Sequence, residues 1–479
     1  MHQSSSNNMI DISNKLDTCL NVVKKYEWLL NSYVSDFYVE DHWNKLPLSW
    51  QKHLEQLPVE SLSELLQSDV DVDVDVGVQV TRRSLWPLEL LALRQVLCSL
   101  DISRTPKRQL EVELPSCPLL EHRKLKHMFM KCVKPKKSHE IKRMAAICAR
   151  SCQQNSIDFV VDFGAGLGHL ARILGYGYGI NVCCFEMQAN LNQQALAIDA
   201  KLESMAAKHL DASELAKFKR SAHLTQRLSS STKPTEFIES IREAFQLPDT
   251  DFQFGIIGLH PCGDLGATLM RMFLNCEQAK FLNFVGCCYH KMSTQESQPK
   301  MDLHGYPLSS QLRRQLQTDA HSCQLSYEAR EIACHAIELY YDRLKAGQHE
   351  YLKIHSLRAA AERIIVHHFP DLRHSALRNV KHAPGMTFND YFQKAVEGTR
   401  FAELNSTQLN SKQIETDLLH WERIVCFYTL RLMLAPHVES IILYDRAMFL
   451  LEKGCQVNIE AIFDPRISPR NHITSAVKN

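Results

Sequence analysis

Between residues 158 and 186 the chain reads Asp158-Phe159-Val160-Val161-Asp162-Phe163-Gly164-Ala165-Gly166-Leu167-Gly168, then a helical Leu170 to Leu174, then Val182 to Phe185 closed by Glu186. This segment constrains the fold more than any other. A short run that is apolar at successive positions is a strand buried on both faces. Glycines follow where the strand hands over to a helix, because glycine alone adopts positive φ and allows close backbone approach without penalty. Strand, glycine turn, helix and strand together make the first unit of a parallel sheet. Glu186, eighteen residues beyond Gly168, ends the second strand, where a carboxylate is suited to accept hydrogen bonds from ribose hydroxyls.

The same alternation continues downstream. Strand-type runs at Ala222 to Thr225, Phe254 to Leu259 and Phe281 to Gly286 are separated by helical patterns at Asn190 to Lys219, Pro234 to Phe245 and Leu265 to Asn275. The expected architecture is α/β, a Rossmann-like sheet with helices on both faces. Before it, Asp17 to Val34, Ser49 to Leu66 and Leu88 to Leu100 carry apolar residues at helical spacing. Between these lies DVDVDVDVGVQV, Asp69 to Val80. Its alternation fits a strand, but its low complexity and closely spaced carboxylates favour an acidic linker. Residues 293–437 read as mainly helical, with patterns at Leu352 to His368, Tyr391 to Ala395 and Leu418 to Leu434. Strands are expected again at Ser440 to Leu443 and Val457 to Phe463. The resulting organisation is an N-terminal helical region (1–130) with an acidic linker at 69–80, a Rossmann-like core (131–292), a helical insertion (293–437) and C-terminal strands that complete the sheet (438–479).

Charge and cysteine content narrow the functional classes. Fifty-five Lys and Arg stand against 54 Asp and Glu, a net charge of +1, which excludes a histone-like or acidic-tail protein but not a local basic patch. The start, MHQSSSNNM, has no basic n-region or apolar h-region, so a secretory signal is not expected. No stretch of about eighteen apolar residues is present; Ile424 to Leu434 comes nearest and contains Arg431. No membrane span is expected. The sixteen cysteines are therefore expected as reduced thiols in a cytoplasmic or nuclear protein, with Cys183 and Cys184 as small core residues.

Two cofactor classes fit a glycine turn. A dinucleotide site uses G-x-G-x-x-G, with the pyrophosphate on a helix N-terminus. This chain has G-x-G-x-G preceded by Asp162. A carboxylate there repels a pyrophosphate and attracts an amino-acid ammonium. S-adenosyl-L-methionine has that ammonium and no phosphate, so it is the expected cofactor, held by Asp162, Gly164, Ala165, Gly166, Gly168 and Glu186. No metal ligand set is assigned.

These residues look like motif I of class I S-adenosylmethionine-dependent methyltransferases. Further segments narrow the likeness: Pro135-Lys136-Lys137-Ser138-His139-Glu140-Ile141, His260-Pro261-Cys262-Gly263-Asp264-Leu265, Gly286-Cys287-Cys288-Tyr289-His290-Lys291, Gly305-Tyr306-Pro307-Leu308-Ser309, His355-Ser356-Leu357-Arg358-Ala359-Ala360, Phe463-Asp464-Pro465 and Ser468-Pro469-Arg470-Asn471. With Trp43, Leu46, Pro47 and Trp50, this set resembles the methyltransferase-like protein 25 family across nearly the whole chain. The resemblance implies a class I methyltransferase sheet. One branch of that family is named for a ribosomal RNA adenine dimethylase domain. Adenine dimethylases resemble one another in an Asn-Pro-Pro-Tyr-like motif after the fourth strand; here His260-Pro261-Cys262-Gly263-Asp264 stands in its place, so that activity is not carried over. The His-x-Cys-Gly and Cys-Cys-Tyr-His segments are also similar to tRNA 2′-O-methyltransferases, which favours an RNA acceptor over a protein one.

His260, Cys262, Cys287, Cys288 and His290 end two strands that share one sheet edge if they are neighbours, the edge where doubly wound folds bind ligands. Three readings remain open: pocket lining around donor or acceptor, a zinc site, or plain core thiols. His260 is counted with the cofactor residues. His290 and Tyr289 are the catalytic candidates, an imidazole that accepts a proton near neutral pH and a phenol that orients a nucleophile. Asp264 is suited to cap the helix after it. Lys134, Lys136, Lys137 and His139 form the clearest basic cluster, joined by Arg466, Arg470 and Lys478 if the C-terminus lies at the same edge. The expected function is methyl transfer from S-adenosylmethionine. The alternative is a non-catalytic scaffold of the same fold that binds a protein partner through its helical regions.

Overall fold

The computed structural model of the chain describes residues 2–67, 86–106, 117–131, 133–247, 252–301, 303–318, 324–381, 383, 385–399, 401, 409 and 411–478. The acidic stretch Asp69 to Val80 lies outside the described residues. Two compact units are present, one of Met1–Asn21, Ile102–Gln324 and Glu439–Asn479, the other of Val22–Asp101 and Leu325–Val438.

The first unit holds the expected α/β Rossmann-like fold. Its seven strands are β1 (Phe159–Phe163), β2 (Asn181–Glu186), β3 (Ala222–Thr225), β4 (Phe254–Leu259), β5 (Ala279–Val285), β6 (Gln456–Ala461) and β7 (His472–Val477). They lie in the order β3-β2-β1-β4-β5-β7-β6. β1 to β5 are parallel; β7 runs antiparallel against both β5 and β6. The central strands β1 and β4 are buried at every residue, as parallel strands covered on both faces must be. One face carries Val160, Val182, Ile257, Phe281 and Val285; the other carries Phe159, Val161, Phe163, Phe185, Phe237 and Phe254, where the Phe237 ring lies tilted or edge-on at 5.3–6.0 Å from the rings of Phe163, Phe185 and Phe254.

The helices that position the edge loops are α1 (Pro135–Asn155), α2 (His169–Arg172), α3 (Ala189–Ala206), α4 (Pro234–Phe245) and α5 (Leu265–Asn275). α1 begins with proline at its first position, where a missing N–H leaves nothing unsatisfied. The helix expected over Asn190 to Lys219 ends at Ala206. A second short helix starts at Asp211, which accepts from Glu214 N at 2.9 Å while Glu214 Oε2 accepts from Asp211 N at 3.0 Å. This reciprocal capping box gives the backbone a new start.

One expectation at the C-terminus is corrected, and one strand there was not expected. Ser440 to Leu443 is not a strand but part of a helix, α8, which follows α6 (Ile354–His368) and α7 (Trp421–Met433) and spans Ala435–Leu451. Almost all of α8 is buried, its few charged residues included, so no exposed polar face marks the 3.6-residue period from which a helix is read. The strand that fills the sheet instead, β7, reads His-Ile-Thr-Ser-Ala-Val. It alternates too weakly to be read as a strand. The run Trp421–Leu451 is long and apolar enough to cross a membrane by composition, but 94% of its apolar window is buried inside the protein, as in a core helix.

In the second unit α6 packs on α7 and on the helix Phe388–Ala395. The Tyr38 hydroxyl donates to Asp417 O at 2.6 Å and lies 2.8 Å from Ser356 Oγ. Arg373 bridges buried Asp36 and Glu40 at 2.6 and 2.9 Å.

A buried ion network pins α2 to α3 and β3. The Arg172 guanidinium donates to Asp199 through Nε and to Ala195 O at 2.8 Å through Nη2, and Asp199 Oδ2 also takes His223 Nε2 at 2.9 Å. Arg172 and Asp199 are 2% and 1% exposed. Removing one member leaves an uncompensated buried charge. Asp199→Ala is therefore expected to lower unfolding free energy by about 3–5 kcal/mol, measured by urea denaturation. Exposed Lys201→Ala should shift it by less than about 0.5 kcal/mol.

Candidate active site

Strand order reverses between β1 and β4, so the crevice that receives ligands in such sheets opens at their C-terminal ends. Register places Phe163 beside Phe185 and Asp162 beside Cys184. The turn after β1 is drawn onto the end of β2: Gly164 N and Ala165 N donate to Phe185 O at 2.8 and 3.3 Å. Gly166 N then donates to Glu186 Oε2 at 3.0 Å, and Gln188 N to Glu186 Oε1 at 2.9 Å. Asp162, Gly164, Ala165, Gly166, Gly168 and Glu186 are thus brought together. Two of the glycines have different reasons. Gly168 lies at φ +70°, and a Cβ there would meet the His223 ring at 3.0 Å, so it serves close helix–sheet packing. Gly166 lies at φ +57° with nothing within 4 Å of a Cβ. It faces open space, a cradle that a side chain would fill.

Behind the turn sits a charged cluster that the sequence pattern did not assemble. Asp162 is 2% exposed; burial pushes its carboxyl up to about 7, opposed by the Lys137 ammonium and reinforced by Glu186. Burial in turn lowers Lys137, against the pull of Glu140 and Asp162. Glu140, one turn into α1, takes His260 Nε2 at 2.9 Å and Ser468 Oγ at 2.7 Å. Burial acts to raise Glu140, but these hydrogen bonds outweigh it and hold the carboxyl at about 2. His260 closes β4 in the left-handed region at φ +71°, with its N–H donated to Val285 O at 3.0 Å. A non-glycine residue held there is strained, a frequent mark of a functional site. Asp464 N donates to His139 Nε2 at 3.0 Å. The C-terminal turn 464–468 therefore lies against the start of α1, the condition on which Arg466 was expected to extend the basic cluster. Lys134, Lys136 and Arg466 are exposed, and Lys137 and Arg470 are partly buried. Lys478 lies elsewhere, at the far end of β7, where its ammonium donates to Cys276 O.

The loops after β4 and β5 meet as well. Cys262 Sγ lies 3.1 Å from Cys287 Sγ and 3.3 Å from Cys288 Sγ, and the latter two are 3.4 Å apart. Sharing of a proton with Cys287 lowers Cys262 to about 6, whereas its neighbour Cys287 is raised. Tyr289 is 2% exposed and its hydroxyl donates to buried Glu439 Oε1 at 2.9 Å; the phenol anchors this loop from behind. His290, on the same turn, is partly exposed. Asp264 Oδ1 accepts from Ser293 N at 2.7 Å, so its carboxylate ties the two loops together and makes no cap bond to α5.

Residues 136–295 match the family model described as a methyltransferase domain. That segment is similar to a methyltransferase domain and lies on the Rossmann-like sheet. The chain is 28% identical over 233 residues to the protein named probable methyltransferase-like protein 25 in Homo sapiens, which covers 47% of this chain and 36% of that protein. To the Mus musculus protein of that name it is 25% identical over 293 residues, 59% of this chain and 47% of the relative. The chain spans less than half the length of these curated relatives. The matched segment of the methyltransferase domain runs from Lys136, at the start of α1, to just past the β5 loop. It contains every cofactor and catalytic candidate named from the sequence, but not Lys134, Arg466, Arg470 or Lys478.

Because Asp162 has a raised folded-state value, its protonated form favours the fold below the unfolded value of about 3.9, and that contribution is lost as pH rises through about 7. Asp162→Asn removes this dependence. The variant is expected to gain stability relative to the parent between pH 4 and 7 and to level off above it. Thermal midpoints of both ligand-free proteins at pH 5 and pH 8 check this; an equal gap at the two pH values would contradict it.

Proposed function

We propose that the chain is an S-adenosylmethionine-dependent methyltransferase with RNA as its acceptor. The observation that carries the cofactor reading is the open cradle at Gly166, set between the carboxylates of Asp162 and Glu186. Among the described residues no basic side chain is hydrogen-bonded to Glu186, and a pyrophosphate would face two carboxylates. An ammonium at one end and hydroxyls at the other suit these acceptors. S-adenosylmethionine supplies an electrophilic methyl group on a sulfonium. Asp162 would hold the amino-acid ammonium, an opposite charge that offsets the penalty of its own burial. Glu186 would accept from ribose hydroxyls through the lone pairs left after its two backbone bonds. Gly164, Ala165 and Gly166 give the close backbone approach.

On the acceptor side, His290 is the residue placed to take a proton, while holding the nucleophile in line can supply much of the rate. An RNA acceptor is supported by the exposed Lys134, Lys136 and Arg466 on the elements that flank Glu140. Contacts of this kind to phosphate give a steep salt dependence.

The full-length chain incubated with methyl-labelled S-adenosylmethionine and extract from cells lacking it is expected to yield label sensitive to ribonuclease. Label lost only to protease would move the acceptor to protein, and no transfer would favour a binding scaffold. Glu186→Gln should weaken cofactor binding by about tenfold or more, the effect of losing a charged hydrogen-bond acceptor, read by calorimetry. Gly166→Arg should abolish binding while leaving the circular dichroism spectrum unchanged. Unchanged affinity in both variants would overturn the cofactor site.

A further inference from the structure

Cys262, Cys287 and Cys288 bring three sulfur atoms from two loops to within 3.1–3.4 Å of one another. Their ligand atoms all lie within the span that one metal ion occupies. We propose that these three thiols are a binding site for a single thiolate-preferring divalent cation, zinc, with its fourth position left to solvent or an entering ligand. The inference does not depend on the acceptor or on cofactor binding.

Geometry separates this from the competing uses of three thiols. Zinc takes sulfur at about 2.3 Å, which sets tetrahedral sulfurs about 3.8 Å apart. From 3.1–3.4 Å the three atoms need to spread by about 0.4–0.7 Å. A disulfide uses two sulfurs and leaves the third unused. Cys287 and Cys288 are also poorly suited to one, since adjacent Cα atoms stand about 3.8 Å apart, below the lower limit of about 4.4 Å for an ordinary disulfide. The core-thiol reading does not fit either. Cys262 is exposed and Cys287 and Cys288 are partly exposed, unlike fully buried Cys148, Cys183 and Cys184.

The surroundings are built to hold the thiols in place. A Cβ on Gly263 would come within 2.7 Å of Lys291 O, and one on Gly305 within 1.9 Å of Asp264 Oδ1. The two loops thus press together at glycines, and the Asp264–Ser293 bond locks them. Cys262 Sγ and Cys287 Sγ also sit 3.4 and 3.7 Å from His260 O.

A second, independent observation is the cation behind them. Arg446 on α8 is 2% exposed; its Nη2 meets the Met292 sulfur, and among the described residues its Nε and Nη1 have no hydrogen-bond partner. Its Nη1 lies 2.4 Å from where a Cβ on Gly286, next to Cys287, would stand. Its guanidinium sits over the rings of Phe284 and Tyr289. Three thiolates around one Zn²⁺ carry a net charge of −1, and a buried guanidinium with unpaired N–H groups is the complement of that charge. On binding, three S–H bonds break, three Zn–S bonds form, and the protons leave to solvent. No oxidant is required.

The full chain, purified under reducing conditions without chelator, is expected to contain about one zinc per molecule by plasma mass spectrometry, the stoichiometry of one four-coordinate site. After metal removal, Co²⁺ should give thiolate-to-metal charge-transfer and tetrahedral visible bands, which Zn²⁺ displaces. Cys262→Ser and Cys287→Ser should each weaken Zn²⁺ binding by at least about 100-fold, as losing a ligand exceeds the effect of losing an outer partner. Cys98→Ser should leave it unchanged. Should a serine variant fail to fold, zinc protection of Cys262, Cys287 and Cys288 from alkylation, mapped by peptide mass in the parent protein, gives the same answer. A folded, fully reduced chain that shows no cobalt–thiolate band overturns the proposal. So does alkylation of these three cysteines that zinc leaves unchanged.

Discussion

Everything at the candidate site depends on the pairing of β1 with β2 on one side and β4 on the other. Five backbone registers tie β1 to β2 and four tie it to β4. Parallel pairing brings the C-terminal ends of successive strands to one edge. As a result Asp162, Glu186, His260 and the Cys287 loop become neighbours, although they are separated by up to about a quarter of the chain. The reversal of strand order at β1 opens the crevice there and nowhere else in the parallel part of the sheet. A slip of one residue would turn Asp162 from the edge into the opposite face.

The edge concentrates charge in a place that burial disfavours. Each buried ion is met by its own partner: Glu140 by His260 and Ser468, Glu439 by Arg104 and Tyr289, Asp199 by Arg172 and His223. Asp162 is different. Its neighbour Lys137 only partly offsets its burial, and its carboxyl stays well above the ordinary range. Arg446 is the mirror case, a buried cation whose Nε and Nη1 lack acceptors among the described residues and whose Nη2 meets only the Met292 sulfur. An incompletely compensated charge destabilises the fold and is kept where a ligand is to complete it. The two mismatched ions lie beside the proposed cofactor cradle and the three-thiol cluster, one for each.

Family resemblance and local pattern agree with the fold because both rest on the same physics. The segment Phe159 to Glu186 shows its strand, turn and strand directly: apolar runs, glycines at positive φ and carboxylates at strand ends are all local demands. The methyltransferase-domain match over residues 136–295 covers that segment and the two loops that follow. Ser440 to Leu443 misled for an equally local reason. A short apolar stretch has no period when every side of its helix is buried, and strand and helix then look alike. β7 failed in the opposite way, since Thr474 and Ser475 break the alternation of a strand whose place is fixed by its neighbours.

The sequence by itself determined the parallel sheet, the glycine turn and the acidic residues that flank it, because these follow from backbone sterics and from the burial of contiguous apolar runs. It also named the residues of the two edge loops. Only the tertiary structure decided what those residues touch. That Glu140 grips His260, that Tyr289 is held from behind by Glu439, that α1 meets the C-terminal turn, and that three cysteines converge near a buried, under-satisfied arginine are all contacts across long separations in the chain. Local pattern carries no record of them, since each is fixed by strand order and loop closure and not by the period of any single element.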